Sequence, residues 1–258
     1  MCSLFHPEVP TPIEPIEPVQ FQFPKIAGAE IAATIFRNRV GGDFYDSFRV
    51  GKERVLFGLL DVAGRAETNR LVLESAQKSF RTLGAELFAP FDINESDAMV
   101  QLCVQMNRSI MERAGGVHSC PGFIGCYHER LGTLCYTNAG HTPGLLRDES
   151  GVAELGSTGL PLGLFSHATC EAPTVGLEKG AALLLVSRGV VEGISKETDD
   201  SNAEDPEFGL ERTKKFLHFD HSSNAESLCA SILQQVGVFI GEPLVPDDMT
   251  ALALLRRA

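Results

Sequence analysis

Val55-Leu56-Phe57-Gly58-Leu59-Leu60 is a continuous apolar run that stops at Asp61, the pattern of a buried strand that delivers an acid to its end. Between Thr68 and Phe88 the spacing changes to that of a helix, with Leu73, Ala76, Phe80, Leu83 and Leu87 on one face. Ser96 precedes a second helical set, Met99, Leu102, Cys103, Met106 and Ile110, which Gly115-Gly116 would stop. Short strand-like pieces follow at Phe123 to Tyr127, Leu134 to Thr137, Leu145-Leu146 and Leu183 to Val186, separated by turns rich in Gly, Pro and Asn. Ser223-x-x-Glu226 reads as a capping box opening a helix through Leu228, Ile232, Val236 and Phe239, and Thr250 to Leu255 as the last strand. Close-spaced strands favour antiparallel pairing, and helices inserted in pairs predict an α+β layered domain rather than a βαβ repeat.

Composition narrows the function classes. The 258 residues, 43 % hydrophobic, suffice for one full core. A net charge of −12 without clustered Lys and Arg argues against a nucleic-acid backbone as partner. About half of that charge is local, since six acids and no base lie between Glu197 and Glu207, a stretch that reads as a solvated loop. Seven cysteines without framework spacing, and no secretory signal, predict core thiols in a reducing cytosol, so a cytoplasmic location is expected. No apolar run approaches the ~20 residues that cross a bilayer, so no membrane role is expected. Residues 1–25 carry Pro7, Pro10, Pro12, Pro15, Pro18 and Pro24 and read as an extended arm; residues 26–258 form the domain.

Four turns carry the candidate chemistry: Gly41-Gly42-Asp43-Phe44-Tyr45-Asp46, Leu60-Asp61-Val62-Ala63-Gly64, Ser187-Arg188-Gly189 and Asp247-Asp248-Met249-Thr250. Three keep an acid; the third has Arg188. Carboxylates on separate turns can hold hard divalent cations, which want oxygen ligands and retained waters. Asp in a Gly-rich turn also serves plain turn geometry through its side-chain hydrogen bonds, and spacing alone favours that reading. His118, Cys120, Cys126 and His128 lack the paired spacing of a zinc site. Arg37 and Arg39 read as surface charges as readily as phosphate contacts, and His141 as a turn histidine before a proton donor.

From about Ala29 to Leu255 the chain resembles the metal-dependent serine/threonine protein phosphatases of the PPM superfamily, in particular the bacterial SpoIIE/RsbU type. The resemblance is carried by Val40-Gly41-Gly42-Asp43-Phe44-Tyr45-Asp46, Leu60-Asp61-Val62-Ala63-Gly64, Thr137-Asn138-Ala139-Gly140-His141-Thr142-Pro143, Gly159-Leu160-Pro161-Leu162-Gly163, Leu184 to Glu192 and Asp247-Asp248-Met249-Thr250, in that order. It implies a four-layer αββα sandwich, two central, mostly antiparallel sheets flanked by helix pairs, with a pair of Mn²⁺ or Mg²⁺ ions at one end. It further implies that Asp61 bridges the metals beside the Val62 carbonyl, that Asp247 ligates directly and that Asp43 holds metal-bound water. Asp43, Asp61 and Asp247 would then be the catalytic set, with Asp248, Arg188 and Glu192 beside them. The substrate implied is a phosphoserine or phosphothreonine on a small phosphoprotein such as an anti-sigma-factor antagonist.

Two departures stand out. Ala63-Gly64-Arg65 replaces the family's usual Ser-Gly-Lys, and Arg188 stands where the family usually has a metal-binding aspartate. A guanidinium cannot ligate a metal. It can pair with Asp61 or Asp247, leaving one metal or none and a fold kept as a pseudophosphatase, a phosphoprotein-binding or regulatory module. Alternatively it points outward or grips the substrate phosphate.

Overall fold

The computed structural model describes residues 23–36, 42–62, 66–114, 118–195, 206–241 and 247–257. The proline-rich segment before Phe23, Arg37, Arg39, the Ala63-Gly64-Arg65 turn, Gly115-Gly116 and most of the acidic run lie outside the described residues.

Three strands come first, β1 (Ala29–Phe36), β2 (Asp43–Val50) and β3 (Arg54–Asp61), then two long helices, α1 (Ala66–Phe88) and α2 (Glu95–Ala114). Six strands follow: β4 (Gly122–His128), β5 (Thr133–Ala139), β6 (Gly144–Asp148), β7 (Gly151–Leu155), β8 (Thr174–Gly176) and β9 (Ala182–Val186). A single turn of helix, α3 (Arg188–Val191), leads to α4 (Gly209–Phe219) and α5 (Ala225–Ile240), and β10 (Met249–Arg256) closes the chain's order. The strands form two five-stranded sheets, ordered β1-β10-β9-β6-β7 and β2-β3-β4-β5-β8, with every pairing antiparallel. The four-layer αββα sandwich expected from the sequence is therefore the architecture found.

The continuous apolar runs have a simple cause. A strand in an inner sheet serves two cores at once, because alternate side chains point to opposite faces. Leu56 and Leu60 of β3 face the helices with Phe80, Met99, Met106 and Ile110 of α1 and α2. Phe57 and Leu59 face the other sheet with Phe123, Leu183, Leu185, Leu252 and Leu254. In β9, Leu184 and Val186 turn towards Leu228, Ile232 and Val236 of α5. Three apolar seams thus hold the layers, and the middle one includes the Phe123–Tyr136 ring stack at 5.2 Å. Cys103, Cys120, Cys126, Cys135 and Cys229 lie buried in these seams or beside them as free thiols.

Two helix starts differ from the sequence reading. Asn224, not Ser223, caps α5: its backbone is extended and its side chain accepts from the Ser227 N–H at 2.8 Å. Asn caps as well as Ser, and from Asn224 the side chain reaches the third helical N–H. Similarly, Asn94 accepts from the N–H groups of Ser96 and Asp97, and Ser96 lies inside α2, donating to the Ala172 carbonyl at 2.7 Å.

Candidate active site

The acids collect where the two sheets meet at one end. Asp43 opens β2 and Asp61 closes β3, and the antiparallel register sets them directly opposite each other. The Val62 N–H donates to the Gly42 carbonyl at 3.1 Å, and the Asp61 N–H to the Pro121 carbonyl at 2.9 Å, so pairing continues past the strand ends. Gly42 is required for this closeness, since a Cβ there would stand 2.1 Å from the Val62 oxygen. The same carbonyl accepts from the buried Asn69 carboxamide at 3.0 Å.

The other sheet supplies the facing wall. β10 begins just after Asp247-Asp248, and β9 ends at Val186 before Ser187-Arg188. Ser187 is clamped there: its N–H donates to the Thr250 carbonyl, its hydroxyl donates to the Asp248 carbonyl, and the Thr250 N–H donates to that hydroxyl. Gly189 permits the same approach on this side, because its Cβ would meet the Asp248 oxygen at 2.1 Å. Two hydrogen bonds then join the sheets. The Thr250 hydroxyl donates to Asp43 Oδ2 at 2.5 Å, and the Arg188 N–H donates to Asp61 Oδ2 at 3.1 Å.

Arg188 points its guanidinium into the acids. Its Nη2 lies 3.3 Å from Asp247 Oδ2 and 3.8 Å from Asp61 Oδ1, while Nε lies 3.7 Å from Glu192 Oε2 one turn along. Asp247 Oδ1 accepts the Asp248 N–H at 2.9 Å. Both oxygens of Asp61 and both of Asp247 are thus engaged, and Arg188 takes part in three of those four contacts.

Asp43 is 7 % exposed, as is Asp61. Burial first, and then the negative charge of Asp61, push the Asp43 carboxyl up to about 8, against the pull of the Ser187 and Thr250 hydroxyls. Beside them, His141 is held by its own turn: its N–H donates to Asn138 Oδ1 at 2.8 Å, and Nδ1 lies 3.1 Å from both the carbonyl and the hydroxyl of Thr142. Its buried Nε2 has no partner among the described residues, and burial lowers its pKa.

On the Asp43/Asp61 side two crowded acids stand opposite each other, the kind of oxygen donors a hard cation that keeps its own waters takes, while the Val62 carbonyl beside them accepts from Asn69. On the Asp61/Asp247 side a guanidinium already supplies the positive charge. Among the described residues no three His, Cys, Asp or Glu side chains form a ready-made cage.

Sequence reasoning named Asp43, Asp61, Val62, Asp247, Asp248, Arg188 and Glu192, and the structure brings them to one end of the sandwich. It missed Ser187, Asn69 and Asn138 as the groups that hold the turns. Ser187, Asn138 and Thr250 lie within the motif blocks, whereas nothing in the sequence marks Asn69.

Two antiparallel five-stranded sheets between helix pairs are the fold this chain shares with solved PP2C phosphatase domains. The PP2C phosphatase domain with a regulatory-domain fragment of SpoIIE from Bacillus subtilis superposes with a TM-score of 0.70 at 16 % identity, covering 89 % of this chain and 62 % of that one. The RsbU and RsbW domains of a Mycobacterium tuberculosis protein superpose equally, with a TM-score of 0.70 at 22 % identity over 92 % of this chain and 63 % of that one. The sequence pattern of Stage II sporulation protein E (SpoIIE) matches residues 51–257, and the chain belongs to that family. Phosphoserine phosphatase RsbP of Bacillus subtilis is 24 % identical over 159 residues, 60 % of this chain and 38 % of RsbP, so the chain spans well under half of that relative. Among the described residues no helix is long and apolar enough to cross a membrane.

Proposed function

We propose that this chain is a protein serine/threonine phosphatase that removes phosphate from phosphoserine or phosphothreonine on a small regulatory phosphoprotein of the anti-sigma-factor-antagonist type. The observation that best supports it is the gathering of Asp43, Asp61 and Asp247 from both sheets in a chain of the SpoIIE family. Asp61, the Val62 carbonyl and Asp43 would hold Mn²⁺ or Mg²⁺, with Asp247 facing them. A cation bound there polarises a phosphoryl oxygen and acidifies a water. The chain's own groups orient the set. The Arg188 N–H fixes the Asp61 carboxylate, the Thr250 hydroxyl fixes Asp43, and Asn69 aims the Val62 carbonyl. The Arg188 side chain, paired with Asp247 yet 41 % exposed, would offer its solvent side to a phosphoryl oxygen.

Inorganic phosphate released from phosphoserine and phosphothreonine peptides in Mn²⁺ tests the reading. The native chain is expected to turn over, with Asp61→Asn lowering the rate at least ~100-fold, the scale of losing one electrostatic element of such a site. A native chain that releases nothing would defeat it.

The position of Arg188 favours a second reading, a phosphoprotein-binding module in which the guanidinium has replaced catalytic charge. Saturable binding of a phosphopeptide without release, with turnover appearing only in Arg188→Asp, would select it.

A further inference from the structure

The acids at this site do not wait for charge from outside. Arg188 enters as the first residue of α3, and its backbone N–H and its guanidinium address the two oxygens of one carboxylate, Asp61. The same Nη2 reaches Asp247 at 3.3 Å, so one guanidinium spans acids contributed by the two sheets. Its Nε is buried without a hydrogen-bond partner among the described residues, and Glu192 Oε2 lies 3.7 Å away. A long side chain accepts such a position when opposite charges on several sides hold it. Gly189 next to it lets the α3 backbone lie against Asp248, which fixes where the guanidinium can go.

We propose that Arg188 is the resident cation of this site, occupying the position between Asp61 and Asp247 that would otherwise take a divalent ion, so that the native chain binds one divalent cation and not two. The remaining place is on the Asp43/Asp61 side, next to the Val62 carbonyl. The proposal rests on the phosphatase reading for the expectation that divalent cations belong here at all, and it deepens that reading by fixing their number. It also assigns a positioning role to Arg188, because a guanidinium carried on α3 sets the Asp61 and Asp247 carboxylates relative to each other.

Counting Mn²⁺ bound per chain, by calorimetry and by the loss of the free-ion paramagnetic resonance signal, tests this without any substrate. The native chain is expected to take one Mn²⁺ and Arg188→Asp two. If Arg188→Asp fails to fold, Arg188→Ala carries the test. Removing a unit charge a few ångströms from the site should tighten Mn²⁺ binding by about tenfold or more. Two Mn²⁺ or none in the native chain, one in a folded Arg188→Asp, or an Arg188→Ala affinity equal to native would overturn the proposal. Turnover is scored separately. A chain that binds one Mn²⁺ and releases no phosphate defeats the phosphatase reading alone, while one that releases phosphate with two Mn²⁺ bound defeats the resident-cation proposal alone.

Discussion

Gly42 and Gly189 face each other's roles across the site, one on each sheet. Each lies so close to a backbone carbonyl, Val62 in one case and Asp248 in the other, that an added Cβ would stand 2.1 Å from the oxygen. Backbone atoms cannot yield as a side-chain tip can, so Gly42→Ala and Gly189→Ala should each cost about 1–3 kcal/mol and displace the neighbouring aspartate. Gly156→Ala, with nothing within 4 Å of the added carbon, should leave the melting temperature where it is. Thermal melts of the three variants check this; equal melting temperatures would mean the close approaches are not constraining. The glycines beside Asp43 were visible in the sequence, but the atoms they admit were not. A Gly-Gly-Asp turn announces freedom of the backbone, whereas which carbonyl fills the space is decided by the β2/β3 register.

At the scale of elements, three helices were legible from their apolar spacing, and the most legible strands were those that the pleat buries on both faces. β3, with seven of eight residues buried, and β9, with all five, appear in the sequence as unbroken apolar runs. β2 does not, because Asp-Phe-Tyr-Asp-Ser-Phe-Arg-Val mixes charge with aromatic side chains on a strand at the sheet's edge. Its buried Asp46 is explained only by α1: Arg81 donates through Nε and Nη2 to both carboxylate oxygens at 2.6 Å, and the Ser47 N–H donates to the same group at 2.8 Å. Nothing in the sequence couples residues 46 and 81. Likewise α4 escaped reading, since Gly-Leu-Glu-Arg-Thr-Lys-Lys-Phe is mostly polar and only Thr213 and Leu217 of the helix are buried. The Asp46 clamp ties α1 to the strand that carries Asp43. Arg81→Ala would leave a fully buried carboxylate with one backbone donor, and a loss of about 2–3 kcal/mol is expected, less than for a wholly buried pair because Arg81 is 44 % exposed. Denaturant melts would show it; a change below about 0.5 kcal/mol would mean the pair behaves as an ordinary surface bridge.

For the whole molecule, the site exists only because two sheets stay in place. Asp43 and Asp61 come from one, Arg188 and Asp247 from the flank of the other, and the middle apolar seam is what keeps them opposed. Phe123, fully buried in that seam and stacked on Tyr136, should cost about 3–5 kcal/mol when cut to Ala. Amide exchange at Arg188 should accelerate in the same variant, because that N–H bonds across the sheets to Asp61. Unchanged exchange there would show that the site end is held independently of the seam. The layered architecture was readable in advance from strands and paired helices, and the motif blocks located the acids. The sequence also exposed Arg188 as the exception, yet its direction had to come from the fold, because pairing inward and pointing outward fit the same Ser-Arg-Gly. The most direct test of the account is the initial rate of phosphate release from a phosphoserine peptide in Mn²⁺ for the native chain, Asp61→Asn and Asp148→Asn, the last an acid that ends β6 outside the site motifs. Native and Asp148→Asn chains should release phosphate at the same rate and Asp61→Asn at the level of the blank. A native rate no higher than the blank, or an Asp61→Asn chain as fast as native, would contradict the assignment of this acidic site to phosphoester hydrolysis.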